Sequence, residues 1–168
     1  VVDAINYAIK NYCDKTGATY LEENATLTAA GIAPIPSDYI RVLGVGYSNK
    51  ELVKSDADFE DMKDDQWETR TGTVTRRWVM WSGSHVKLTP ILSAWSGGTS
   101  QCAIKFIEQP TALSADADTV DTRIPASQQE YLKYAAAAWL LQHMNDEQSL
   151  ALSSVFDKQF NNLIKGVR

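Results

Sequence analysis

The stretch Val74-Thr75-Arg76-Arg77-Trp78-Val79-Met80-Trp81-Ser82-Gly83-Ser84-His85-Val86-Lys87-Leu88 decides what the middle of this chain is. Its first half is rich in β-branched and aromatic residues, which fit a pleated, half-buried surface. Successive strand side chains point to opposite faces, so Val74, Arg76, Trp78 and Met80 alternate with Thr75, Arg77, Val79 and Trp81. Gly83-Ser84 reads as a hairpin turn and His85 to Leu88 as the returning strand.

The same alternation recurs on both sides. Upstream, Pro34-Ile35-Pro36 forces an extended path, because proline disfavours helix at the residue before it. Tyr39 to Tyr47 then alternates, with apolar groups on both faces, which predicts a strand covered on both sides. Ser48-Asn49 reads as a turn and Lys50 to Val53 as the return. Glu22 to Ala30 is small and polar, strand or loop. Ser55 is a candidate cap for a short helix with an acidic first turn, Asp56, Asp58 and Glu60. Downstream, Gly97-Gly98 marks a turn, and Gln101 to Ile107 puts Cys102, Ile104 and Phe106 on one face. This makes an antiparallel β unit of about five or six strands.

Helical periodicity takes over at both ends. Val1, Ile5, Ala8, Ile9 and Tyr12 recur at helical spacing, and Thr16-Gly17 closes that region. Glu108 to Ile124 is a long loop carrying Asp116, Asp118 and Asp121. Ser127-Gln128-Gln129-Glu130 has the form of a capping box, opening a helix to about His143 whose Ala135–Ala138 run permits close helix approach. Asn145 or Asp146 starts a last helix with the stripe Leu152, Phe156, Phe160, Leu163 and Val167, joined by Val155 and Ile164. The fold class is therefore α+β: a helical bundle with an inserted antiparallel β-sheet lobe, sandwich or barrel-like. One domain over 1–168 is expected, with its helical part at about 1–16 and 125–168, the β lobe at about 34–110 and the extended loop at about 108–124.

Composition narrows the function classes. Hydrophobic content of 44% and charged content of 22% are ordinary for a globular chain. A net charge of -5 argues against a protein that grips DNA backbone. No apolar run reaches membrane-spanning length, so no membrane partner is expected. The chain opens at Val1 without Met, which points to residues upstream of it. Cys13 and Cys102 fit no CxxC pattern and read as buried reduced thiols.

No catalytic, cofactor or metal site is expected. His85 and His143 are the only histidines, and Ser84 precedes His85, but neighbours on a strand face opposite ways. Asp116-Ala117-Asp118-Thr119-Val120-Asp121 begins like a calcium loop, then places Val120 where a ligand belongs and Asp121 where glycine turns the loop. Gly44-Val45-Gly46 lacks the third glycine of a nucleotide fingerprint. Arg76-Arg77 on opposite strand faces make no nucleic-acid groove. Trp78, Trp81 and Trp95 leave two readings open, core packing or a carbohydrate platform.

A series of weak signals in a fixed order runs through most of the chain. It comprises the helix with Ile5-Asn6-Tyr7-Ala8, Pro36-Ser37-Asp38-Tyr39-Ile40-Arg41, Val45, Tyr47, Lys50-Glu51-Leu52, Trp67 with Thr71-Gly72, Trp78, and Leu88-x-Pro90. Together these resemble the head–tail adaptor (connector, or head-completion) proteins of tailed bacteriophages. The Asp-rich segment before Trp67 departs from that pattern, as does the missing further N-terminal helix.

The resemblance implies a structural virion protein of the neck, assembled in the host cytoplasm. It would form a homo-oligomeric ring of roughly twelve copies under the portal protein, a closed heterologous assembly. The ring would extend the DNA channel, pass DNA without sequence-specific binding, and dock tail or neck proteins. Phe156, Phe160, Leu163, Ile164 and Val167 would serve as apolar anchors to portal or subunit, with Lys158, Lys165 and Arg168 as charged rim. The same stripe is equally what a bundle core requires. An acidic channel lining avoids tight phosphate binding, which makes Asp56, Asp58, Asp61, Asp64, Asp116, Asp118 and Asp121 candidates for a lumen or partner face. Another neck or tail-completion component and a carbohydrate-binding β module are the alternatives.

Overall fold

The computed structural model describes residues 1–93, 100–115, 118–144 and 146–167. The elements in chain order are α1 (Val2–Thr16), β1 (Tyr20–Thr26), β2 (Ile32–Pro34), β3 (Tyr39–Tyr47), β4 (Lys50–Glu51), β5 (Val53–Lys54) and α2 (Ala57–Lys63). There follow β6 (Thr71–Gly72), β7 (Arg77–Trp81), β8 (His85–Thr89), β9 (Ile91–Leu92), β10 (Gln101–Glu108), α3 (Ala126–Gln142) and α4 (Glu147–Ile164), closed by a 3-10 turn, Lys165–Val167. The fold is α+β, without a closed barrel. The chain divides into two compact units, Val1–Tyr20 with Ile107–Arg168, and Leu21–Phe106.

The first unit is a helical layer in which α1 packs on α3 and α3 on α4. α1 buries Ala4, Ala8, Ile9, Tyr12 and Cys13, while Val1 is 82% exposed. The stripe is thus rotated from the expected one, with small Ala4 and Cys13 where the helices approach closely. Gly17, at φ 75, ends α1 and returns its amide to the Cys13 carbonyl, a left-handed cap that glycine adopts without strain. Ala135, Ala136 and Ala138 line the buried side of α3, and Ser153 of α4 donates to the Ala138 carbonyl at 2.9 Å. That bond requires the close backbone approach that the alanine run permits.

The expected capping box does not form. Pro125 is the extended residue before α3, and its carbonyl accepts from Gln128 and Gln129, at 2.8 and 3.2 Å. Ser127 is therefore already helical, and no side chain caps this end. Asp146 does cap α4, accepting from the Ser149 amide at 2.8 Å and its hydroxyl at 2.6 Å.

The second unit holds two four-stranded sheets, ordered β1-β10-β3-β4 and β2-β8-β7-β5, and a small β6-β9 pair. Their facing sides share one core: Val45, Cys102, Ile104 and Phe106 from the first sheet, Ala33, Trp78, Val86 and Leu88 from the second. The described residues thus hold ten strands, more than expected, and the pairing is mixed: β5 runs parallel to β7, and β6 to β9. The predicted return strand over Lys50–Val53 is split. The amide of buried Leu52 bonds the Val45 carbonyl at 2.8 Å, and the next amide, Val53, bonds the Arg76 carbonyl at 3.1 Å. The chain changes sheets at Leu52, because burying that side chain in the shared core turns the backbone.

Strand β3 has the bounds that its alternation predicts, followed by the Ser48-Asn49 turn at φ 51 and 61. It is not covered on both sides throughout, since Arg41 and Leu43 are exposed. The Val74–Trp81 run becomes a strand only from Arg77. The hairpin turn sits one residue earlier than read, with Ser82 and Gly83 in the left-handed region and Trp81 paired to His85. Ser55 is not the cap of α2: the Asp56 side chain accepts from the Asp58 amide at 2.9 Å. Cys13 and Cys102 are free and buried, and burial pushes each thiol up to about 11. Trp95 and the Gly97-Gly98 turn lie outside the described residues.

Candidate interaction surfaces

Helix α4 carries the apolar stripe read as an anchor, and the structure divides it. Phe160 is fully buried and Ile164 nearly so, on the side where Ser149 and Ser153 meet α3. Phe156 is half-buried, its ring 6.2 Å from that of Tyr134. Leu152 and Val155, each 51% exposed, and Leu163, 37% exposed, occupy the adjoining flank. Residues three, four, seven and eight apart share a helix face, so these three form one apolar surface strip. Leu150 is 50% exposed on another side of the helix. Val167 is half-buried in the 3-10 turn, Lys158 and Lys165 are exposed, and Arg168 lies outside the described residues.

The acidic candidates split in the same way. In the second unit, Asp56 caps α2, Asp61 accepts from the Trp67 indole, and Asp64 accepts from the Gln66 amide at 3.0 Å and from Arg70 at 3.3 Å. Asp58 is exposed, and its carboxylate has no such partner among the described residues. In the first unit, Asp118 closes a turn, accepting from the Ser114 and Ala115 amides and the Ser114 hydroxyl, and these bonds hold its carboxyl below the usual range. Asp121 is held low chiefly by the Arg123 guanidinium, which also pairs with Glu108. Asp116 lies outside the described residues. Most of these carboxylates thus serve local structure first.

Arg123 was not singled out from sequence, although it organises the end of the long loop. Asn6 holds the middle of that loop, donating to the Leu113 carbonyl at 3.0 Å and accepting its amide at 2.8 Å. The Asn6–Leu113 pairing has no sequence signal, because the partners are 107 residues apart, and the pairing of Arg123 with Glu108 spans the loop itself.

Trp67, Trp78 and Trp81 are packing groups. Trp67 and Trp78 are 2% and 1% exposed. Trp81 meets Trp67 edge-on at 5.9 Å, and the Lys87 ammonium lies 5.5 Å from the Trp67 ring and 4.3 Å from that of Trp81. This contact favours the charged lysine where desolvation pulls its pKa down. With Trp78 in the core, a Trp78–Trp81 sugar platform does not exist.

Ser84 Oγ lies 2.9 Å from His85 Nδ1, contrary to the opposite-face expectation, because Ser84 belongs to the turn and not to the strand. The pair is exposed, and no carboxylate orients His85 among the described residues, so the third group of a triad is missing. Among those residues no cluster of three His, Cys, Asp or Glu is placed to hold a metal ion. Among the described residues no helix is long and apolar enough to cross a membrane.

Beside α2 the second unit forms a cleft of about 350 Å³. Lys63, Arg70, Arg76 and Arg77 line it together with Glu60 and Asp64, against a wall that includes Trp67 and Pro90. Glu60 is buried and answered by Arg77, at 3.0 and 3.1 Å, and by the Ser55 hydroxyl.

These surfaces offer apolar and charged contacts. A comparison with curated proteins finds no match. A family model described as SU10 adaptor protein matches residues 1–168. Because that match spans the whole length, the chain belongs to the SU10 adaptor protein family.

Proposed function

We propose that this chain is the head–tail adaptor of a tailed bacteriophage. Membership of an adaptor family makes it a phage structural protein and a virion component. The finer reading is a ring of copies beneath the portal, in the neck, assembled in the host cytoplasm. It extends the DNA channel and presents a docking surface to tail or neck proteins. A heterologous interface that closes on itself is the simplest way for one chain to build such a ring.

The observation that carries this reading is the bared flank of α4. Leu152, Val155 and Leu163 stand at 51%, 51% and 37% exposure on a helix whose adjoining side is packed. An apolar strip left on a folded surface favours a protein contact. The proposed anchors are therefore these three with Phe156, because Phe160 and Ile164 are already enclosed by their own subunit. Asp58, with no structural partner among the described residues, best suits a lumen or partner-facing carboxylate. A carbohydrate-binding module has no such support, since Trp78 is enclosed in the core.

Electron microscopy of the purified protein mixed with the portal of its own source virus tests the reading. A ring stacked on the portal, with α4 at the contact, is expected. A folded chain that ignores a competent portal overturns it, and moves the protein to another neck or tail-completion position.

A further inference from the structure

The cationic cleft beside α2 lies outside the apolar docking surface and has its own chemistry. Four of its lining side chains are cations, Lys63, Arg70, Arg76 and Arg77, in a chain whose net charge is -5. Two carboxylates answer part of that charge. Glu60 is satisfied by Arg77, and Asp64 meets Arg70 in an open 3.3 Å pair that water screens. Arg76 is exposed and, like Lys63, has no carboxylate partner among the described residues. Lys63 is held 3.9 Å from the Phe59 ring, and the Arg76 amide bonds the Thr89 carbonyl at 3.2 Å, which fixes its backbone at the cleft. The cleft therefore presents positive charge on a positioned frame.

The size and surroundings decide which anion. About 350 Å³ admits a few side chains, not a duplex. A polyanion such as DNA would have to cross the carboxylates of Asp56, Asp58, Asp61, Asp65 and Glu68 on the same segment, and phosphate binding wants a continuous basic track. Base stacking on Trp67 is blocked, because Trp81 and Lys87 already occupy its ring. A single carboxylate with an apolar neighbour meets neither obstacle: the acid pairs with Arg76 and Arg70, and the apolar group lies against Pro90 and Val74. We propose that this cleft is a docking site for a short acidic peptide segment of a protein partner, held by a carboxylate on Arg76 and Arg70. It does not depend on the ring or on the portal contact.

The test measures binding of a blocked peptide, Ala-Leu-Asp-Glu-Leu-Ala, by calorimetry at low salt, beside its Asn-Gln counterpart and a short mixed-sequence DNA duplex. The acidic peptide is expected to bind, the amide version about tenfold more weakly, and the duplex not at all. Arg76→Glu is expected to lower affinity about tenfold or more, while Lys10→Glu, an equal change of net charge on α1, leaves it unchanged. Arg70→Gln, a milder change, supplies a second reading should Arg76→Glu disturb folding, and circular dichroism monitors both. Equal binding of acid and amide peptides, binding of the duplex instead, an equal loss in Lys10→Glu, or no binding at all each overturns the proposal.

Discussion

The helical unit and the β unit enclose their cores by different geometries. The β unit encloses Trp67, Trp78, Phe106, Leu88 and Ile104, all at most 2% exposed, while Val53, Phe59, Met62 and Val74 stay exposed outside that core and charged residues line its cleft. The helical unit buries Tyr12 and Phe160 just as deeply, yet leaves Leu150, Leu152 and Val155 half in solvent. The reason is geometric. A sheet pair encloses both inner faces, whereas a helix in a single layer has a covered side and a bare one. A partner at the α4 flank of the first unit meets apolar side chains, and one at the cleft of the second meets charge.

The strongest way to break this comparison is to empty each core. Phe160→Ala and Trp78→Ala are each expected to cost about 3–5 kcal/mol in urea unfolding, since each removes a fully enclosed aromatic group. A small loss for Phe160→Ala would mean that the helical unit does not close over that ring.

Arg77→Ala tests whether the charge around the cleft is structural. It strips a buried Glu60 of its guanidinium and leaves the Ser55 hydroxyl, at an expected cost of about 2 kcal/mol, reduced because Arg77 is itself 40% exposed. Arg77→Ala combined with Glu60→Gln should recover part of that loss, because the uncompensated charge is then gone.

Acid distinguishes the loop clamp. Arg123 holds the Asp121 carboxyl below its usual range. A depressed folded-state value adds stability above the unfolded-state value of about 4, and this is lost as pH falls through the folded value. Arg123→Gln should therefore cost about 1 kcal/mol or less near neutrality, and the gap from wild type should narrow at about pH 3. Urea midpoints at the two pH values measure it, and a gap that widens in acid contradicts the assignment.

The smallest expected effect is the most informative for function. Leu152→Ala should shift stability by only about 0.5 kcal/mol, because half of the side chain is already in water. The same variant should weaken portal association in a pull-down with the portal of the source virus. A large stability loss would place Leu152 in the core instead.

Legibility followed the range of the interactions. Strand β3 was readable to its end residues, because alternation and the Ser48-Asn49 turn are local. The start of α4 was readable to within a residue, since Asp146 meets an amide three positions ahead. The switch of sheets at Leu52 was not readable, because the Arg76 carbonyl that receives Val53 is far along the chain. The capping box at Ser127 misled for a related reason: the helix begins at Ala126, two residues before the motif requires. The cationic cleft was invisible in sequence, because Arg76-Arg77 read alone as two strand neighbours, while Lys63 and Arg70 come from a helix and a loop.

By itself, then, the sequence determined the α+β class, the order of helices and strands, the periodic stripes and the ordered signals that resemble a phage adaptor. Only the tertiary structure decided that Phe160 and Ile164 are enclosed while Leu152, Val155 and Leu163 are bare. It also decided that Asp121 is clamped while Asp58 is free of such contacts among the described residues. The physical reason is that spacing along a helix or strand sets which residues share a face. Whether that face meets protein or water depends on groups brought from elsewhere in the chain.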